Sequence, residues 1–286
     1  MLNFQPFTPS MKDKIIERLQ KINTTCYEYQ YSYYLLYGET AGIFIAFDDE
    51  AMYTYVKKLK AFLMPATNNM CAAIKQIKGH CEQTGTPFCI RAVPEEYISL
   101  FTCCTTILDR NLSDYLYTPQ NMITLAGRHL QPKRNHIKQF EKNYDAQFSP
   151  LTKEDKPLCF SFLNTWYKEH QASEQDEDLL IEQRAIEIAF NNLDLFIGEK
   201  VVIDGHLVGF TIGQIVNNGK LAIVHFEKAD TSYTGAYPSL NNHFAKNYLF
   251  AVELINREED MGIEGLRKAK LSYQPIKIGN KFCIIL

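Results

Sequence analysis

The chain has 286 residues, 46% of them hydrophobic and 22% charged, with a formal net charge of −3. This is the profile of a globular protein of one large or two ordinary domains, and it excludes a chain drawn by overall charge onto nucleic acid or a membrane surface. No apolar run reaches the roughly 18–20 residues of a membrane-crossing helix, and Met1-Leu2-Asn3-Phe4-Gln5-Pro6 lacks the features of a secretory signal, so a cytoplasmic chain is expected.

In chain order, the first expected element is a helix capped by Thr8 or Ser10 and carrying Ile15, Ile16 and Leu19. The run Tyr27, Tyr29, Tyr31, Tyr33, Tyr34 and Tyr37 reads as a packed aromatic seam. Residues 42–47 and 51–56 form a hairpin about Asp48-Asp49, followed by a helix with Ile74, Ile77 and Cys81 on one face and a strand over 88–93. Pro94 opens a short helix to Leu100. Tyr115–Tyr117 and Met122–Leu125 read as strands that lead to a domain boundary at 125/126, before Gly127 and Pro132 and a basic helix.

In the second half, residues 153–170 are helical, with Leu158, Phe162 and Trp166 recurring every four positions. Ser173 caps a second helix whose start is acidic (Glu174, Asp176, Glu177, Asp178) and whose stripe is Ile181, Ala185 and Ile188. A meander follows. Its turns are Asp204-Gly205, which accepts positive φ, and Asn217-Asn218-Gly219, with strands over 201–203, 207–216 and 221–226. A helix over 240–248, a strand over 250–255, a helix over 265–271 and a strand over 282–286 complete the chain. The two halves repeat this order, with their hairpin turns about 156 positions apart, at negligible residue identity.

The eight cysteines (Cys26, Cys71, Cys81, Cys89, Cys103, Cys104, Cys159, Cys283) include no CxxC pair and read as buried free thiols, so no metal site is expected. Four constellations remain. In the basic helix, Ile137, Phe140 and Tyr144 form a buried stripe, while Arg134, Lys138 and Lys142 share another face, suited to phosphates or to solvent. The turn 229–241 joins a strand to a helix through one glycine, with Tyr237 and Asn241 at its edge. Residues 255–275 place Glu258, Glu259, Asp260 and Glu264 before Arg267, Lys268 and Lys270. This is either an ion-pair lattice or a site in which Glu258 or Asp260 serves as a base and Tyr273 donates a proton. Glu227 stands where its strand opens, and His225 reads as a core histidine.

Residues 115–140, the Gly235-Ala236-Tyr237…Leu240-Asn241 turn, and Asn256-Arg257-Glu258-Glu259-Asp260 with Gly265-Leu266-Arg267-Lys268-Ala269-Lys270 resemble a bacterial family related to the C-terminal catalytic domain of phosphatidylglycerol lysyltransferases. The resemblance covers essentially the whole chain. It implies an α/β (α+β) fold of two tandem GNAT-like acyltransferase lobes, 1–125 and 126–286, each a mixed, mainly antiparallel sheet flanked by helices, as in the Fem peptidyltransferases. It also implies transfer of an activated acyl group from aminoacyl-tRNA to an amine or hydroxyl. Glu227, Glu258, Asp260 and Tyr273 are then the catalytic candidates, and Arg134, Asn135, Lys138, Tyr237, Asn241, Asn256, Arg267, Lys268 and Lys270 the substrate-binding ones. The family's membrane region is missing, as is the multi-glycine pyrophosphate loop of acetyl-CoA users. An acetyl-CoA-dependent N-acetyltransferase and a non-catalytic binding protein of the same fold are the alternatives, and tRNA or a small acyl donor such as acyl-CoA is the expected partner.

Overall fold

The computed structural model describes residues 1–102, 104–169 and 177–286. The chain forms two compact units: Met1–Asp114 with Glu259–Gly262 and Gly279–Leu286, and Tyr115–Glu258 with Ile263–Ile278. The chain therefore leaves the first unit at Asp114 and returns to it twice, where the sequence reading divided it once, after residue 125.

The early elements are β1 (Gln5–Pro6), α1 (Lys12–Leu19), α2 (Tyr31–Tyr37), β2 (Ile43–Phe47), β3 (Met52–Val56), β4 (Ala61–Leu63), α3 (Met70–Thr84), β5 (Cys89–Pro94) and β6 (Thr105–Leu108). Neither Thr8 nor Ser10 caps α1. A 3-10 turn, Pro9–Met11, comes between, and the two hydroxyls bond each other at 2.8 Å. The tyrosine seam packs edge to face, with Tyr33 5.5 Å from Tyr27 and 5.8 Å from Tyr34. Asp48 Oδ1 accepts the N–H groups of Glu50 and Ala51, which closes the β2–β3 turn. Asn69 caps α3, Gly85 ends it at φ +69°, and Ile74, Ile77 and Cys81 are buried as expected.

Next come β7 (Asp114–Tyr117), α4 (Pro119–Thr124), α5 (Gln131–Asn143), β8 (Ala146–Pro150), α6 (Lys156–Glu169) and α7 (Glu177–Asn191). The strand expected over 122–125 is helical instead, because Thr118 caps the Asn121 N–H and Pro119 occupies the first turn, where its missing N–H costs nothing. In α6 the buried stripe is Cys159, Leu163 and Tyr167, one residue on from the predicted one, and Leu158 is 41% exposed. Ser173, Glu174 and Asp176 lie outside the described residues, as does Cys103. The remaining elements are β9 (Ile197–Ile203), β10 (His206–Val216), β11 (Leu221–Ala229), α8 (Ala236–Tyr248), β12 (Leu254–Asn256), α9 (Glu264–Leu271), β13 (Lys277–Gly279) and β14 (Lys281–Ile285). Asp204 and Gly205 both take positive φ, so the β9–β10 hairpin closes in two residues. The strand expected over 250–255 starts only at Leu254, with Phe250 65% exposed.

The chain builds two seven-stranded sheets, in the orders β1-β2-β3-β4-β5-β14-β6 and β13-β7-β12-β11-β10-β9-β8. Both contain an antiparallel meander whose last strand pairs in parallel with the next, β4 with β5 and β11 with β12. The repeat of element order is thus a repeat of topology. The second unit's core joins Tyr115, Tyr117, Ala222, Val224, Phe244 and Tyr273 across the sheet to α8. Of the described thiols, Cys26, Cys81 and Cys159 are buried, Cys71 is exposed and the rest are intermediate, so the uniform burial expected of them does not hold. The first unit also buries charge. The Lys281 ammonium lies 2.7 Å from Asp114 and 2.6 Å from Glu28, beneath the Tyr27 ring.

Candidate functional site

The parallel pairing of β11 with β12 spans only Leu221↔Leu254 to Ile223↔Asn256. Beyond it β11 runs on to Ala229 against β10, so the two chains part at Asn256. A bulge sits at this point. Val224 and Phe226 face the adjacent residues Gly213 and Ile212, which leaves His225 as the extra residue. Gly213 permits the close approach, since a Cβ there would meet Ile223 O at 2.6 Å. A one-residue insertion inverts side-chain alternation. Ala222 and Val224 pack towards α8 before the bulge, and Glu227 and Ala229 do so after it. Without the bulge, Glu227 would face the opposite side of the sheet.

On the α8 side the parted chains are bridged by side chains. Arg257 Nη2 donates to Glu227 Oε1 at 3.0 Å, and Asn241 Nδ2 donates to Oε2 at 2.7 Å. The guanidinium lies 5.0 Å from the Tyr273 ring centre and 5.9 Å from that of Tyr117, and Lys133 Nζ lies 4.3 Å from the Tyr273 ring. Burial opposes the charge of Arg257, but Glu227, Tyr117 and Tyr273 together outweigh it and raise the pKa. Burial, then Arg257, lowers that of Lys133. Burial raises the Tyr273 phenol well above its ordinary range, so it stays protonated. Among the described residues, Arg257 Nη1 and Asn241 Oδ1 are buried without a hydrogen-bond partner.

The bulge residue points the other way. His225 Nδ1 is 2.6 Å from Glu258 Oε1. Burial lowers the imidazole pKa to about 3, so the neutral ring donates its Nδ1–H to the carboxylate and leaves a buried Nε2 without a partner. Glu258 itself takes φ +55°, with its N–H donated to Asn256 Oδ1 at 2.7 Å. Lys270 clamps this corner: its Nζ donates to Arg257 O at 2.6 Å, while Tyr117 OH donates to Lys270 O at 2.7 Å.

The fold therefore gathers Glu227, Asn241 and Tyr273 on the α8 side, where β11 and β12 part, with Asn256, Glu258 and Lys270 at the corner beside them. Arg257, Lys133 and Tyr117 join them there, although none was singled out from sequence, and His225 was read as core. Arg257 was visible as the neighbour of Glu258, but nothing local indicates a partner thirty positions away. Tyr237 is half-buried on the first turn of α8, its phenol pushed up to about 12 by burial. The other candidates lie elsewhere. Arg134 donates to the carbonyls of Leu125 and Gly127 and closes the loop before α5. Asn135, bonded to Gln131, and Lys138 are exposed on that helix. Asp260 belongs to the first unit, ion-paired to Arg110 at 3.4 Å and capping the Gly262 N–H. Arg267 is half-buried and Lys268 exposed on α9. Among the described residues, no helix is long and apolar enough to cross a membrane.

Two sheets of one topology, each with a parallel pair beside a meander, define a tandem GNAT-like protein. FemX shares the fold, with a TM-score of 0.60 at 8% identity over 100% of this chain and 98% of that one. The chain belongs to the phosphatidylglycerol lysyltransferase C-terminal family, whose profile matches residues 20–285. It is similar to a conserved protein of unknown function from Bacteroides thetaiotaomicron VPI-5482, with a TM-score of 0.89 and 30% identity over 100% of both chains. L-PGS from Bacillus licheniformis aligns with a TM-score of 0.66 at 13% identity, over 98% of this chain and 92% of that one. An uncharacterised protein of Mycoplasmoides gallisepticum is 27% identical over 180 residues, which is 62% of this chain and 58% of that protein's length.

Proposed function

We propose that this chain is an aminoacyl- or acyl-transferase that moves an activated acyl group to an amine or hydroxyl, at the opening between β11 and β12. The observation that carries the reading is a set of orphaned polar atoms: Arg257 Nη1 and Asn241 Oδ1 flank the Glu227 carboxylate, buried and unbonded. Unsatisfied buried donors and acceptors are costly, and they persist where a ligand completes them. Acyl transfer uses such a pair. As the acceptor's nitrogen or oxygen attacks the ester carbonyl, the carbonyl oxygen gains charge, which a guanidinium N–H stabilises. The bond from acyl carbon to the leaving oxygen then breaks, and the proton lost by the nucleophile passes to that oxygen. Asn241 Oδ1 and Glu227 accept hydrogen bonds from the donor's ammonium, which orients the ester. Membership of the lysyltransferase family supports aminoacyl-tRNA as the donor. The exposed Lys138, Lys142 and Lys268 supply cations for its phosphates.

The test mixes the protein with bulk tRNA charged with radiolabelled amino acids and follows both retention on filters and release of label. Retention is expected to fall steeply between about 50 and 200 mM salt as counterions are released. Arg257→Gln is expected to bind charged tRNA yet release label about a hundredfold more slowly. Retention that ignores salt, or label released equally fast by parent and variant, would refute the reading.

A further inference from the structure

We propose that the first unit carries a ligand site of its own, a groove that takes a small aromatic carboxylate. The groove encloses about 420 Å³, within the range of small-molecule sites. Its walls are the rings of Phe4, Phe44, Tyr55 and Phe62. Three of these rings pack as a cluster, with Phe62 5.1 Å from Tyr55 and 5.8 Å from Phe4, both pairs at tilted angles.

Two polar groups meet at the same groove. Lys57, exposed just past β3, lines it. Its turn also holds Lys58 and Lys60, so this edge is cationic. His80, on the last turn of α3, lines it too and packs edge-on to Phe4 at 5.2 Å. His80 Nδ1 is buried and, among the described residues, has no hydrogen-bond partner. A purely structural aromatic cluster has no need of an orphaned imidazole nitrogen beside a basic turn. A ring in the groove whose carboxylate is bonded by His80 and neutralised by Lys57 satisfies both groups. Burial, and then the N-terminal ammonium, lowers the pKa of His80, which favours the neutral ring. The groove is lined wholly by residues of the first unit, whereas Glu227 and Arg257 belong to the second.

Calorimetric titration of the full chain with phenylacetate, and with the neutral 2-phenylethanol, tests the assignment. Phenylacetate is expected to bind saturably, and the alcohol about tenfold more weakly, since a tenfold change corresponds to about 1.4 kcal/mol, the scale of one charge-assisted hydrogen bond. Lys57→Gln, a surface change, is expected to erase that preference. Thr86→Trp fills the groove from its lining and is expected to abolish the heat at an unchanged melting midpoint. The site is overturned by an absence of saturable heat up to about 10 mM, by equal affinity for acid and alcohol, or by a Lys57→Gln variant that keeps the preference.

Discussion

Glu28 should make the first unit less stable as pH rises from 6 to 8, and Glu28→Gln should remove that dependence. Glu28 and Asp114 are both buried against the Lys281 ammonium, at 2.6 and 2.7 Å. Burial is the main reason that the Glu28 carboxyl is pushed up from 4.5 to about 8, with Lys281 opposing it and Asp114 and Glu259 adding to it. The folded chain thus holds a proton that the unfolded chain releases near pH 4.5. The stabilisation is full below that value and fades as pH climbs through 8. Between pH 6 and pH 8 the loss integrates to about 2 kcal/mol. Nearby Cys26, Tyr29 and Tyr33 are raised above their ordinary values by burial and do not titrate in this window. Guanidinium unfolding at pH 6, 7 and 8 reads the effect through the near-ultraviolet signal of the tyrosine seam, while Trp166, the one tryptophan, reports the second unit separately. A parent midpoint that is flat across the window, or a Glu28→Gln variant that keeps the parent's slope, refutes the argument.

Three further outcomes are expected. Leu163→Ala, at a fully buried position on α6, costs about 2–5 kcal/mol, whereas Leu158→Ala, 41% exposed, costs under about 1 kcal/mol; equal costs in chemical denaturation would contradict the stripe described here. Arg257→Gln strands Glu227 and costs about 3 kcal/mol, and adding Glu227→Gln to it recovers part of the loss; a double mutant no more stable than the single one argues against the ion pair. Gly213→Ala drives a Cβ to 2.6 Å from Ile223 O and costs about 1–3 kcal/mol, read as a lower melting midpoint; an unchanged midpoint means that the bulge does not need its glycine.

Whatever depends on near neighbours was legible in the chain. The Asp204-Gly205 and Asn217-Asn218-Gly219 turns, the α3 stripe and the basic α5 follow from local conformational preference and periodicity, and the order of these elements carried the repeat. The family motifs took in Asn241 and the 256–258 corner, and Glu227 was read from the end of its strand; each lies where β11 and β12 part. Other features turned on partners far away in sequence. Both 158/162/166 and 159/163/167 are apolar along α6, and only what packs against the helix selects one. Asp260 and Lys281 return to the first unit because their partners, Arg110, Asp114 and Glu28, are there. The bulge at His225 exists only as a mismatch of register with β10, yet it sets the face on which Glu227 emerges. Alternation along a strand has period two, so a single extra residue, invisible until the strands pair, determined the placement of the candidate site.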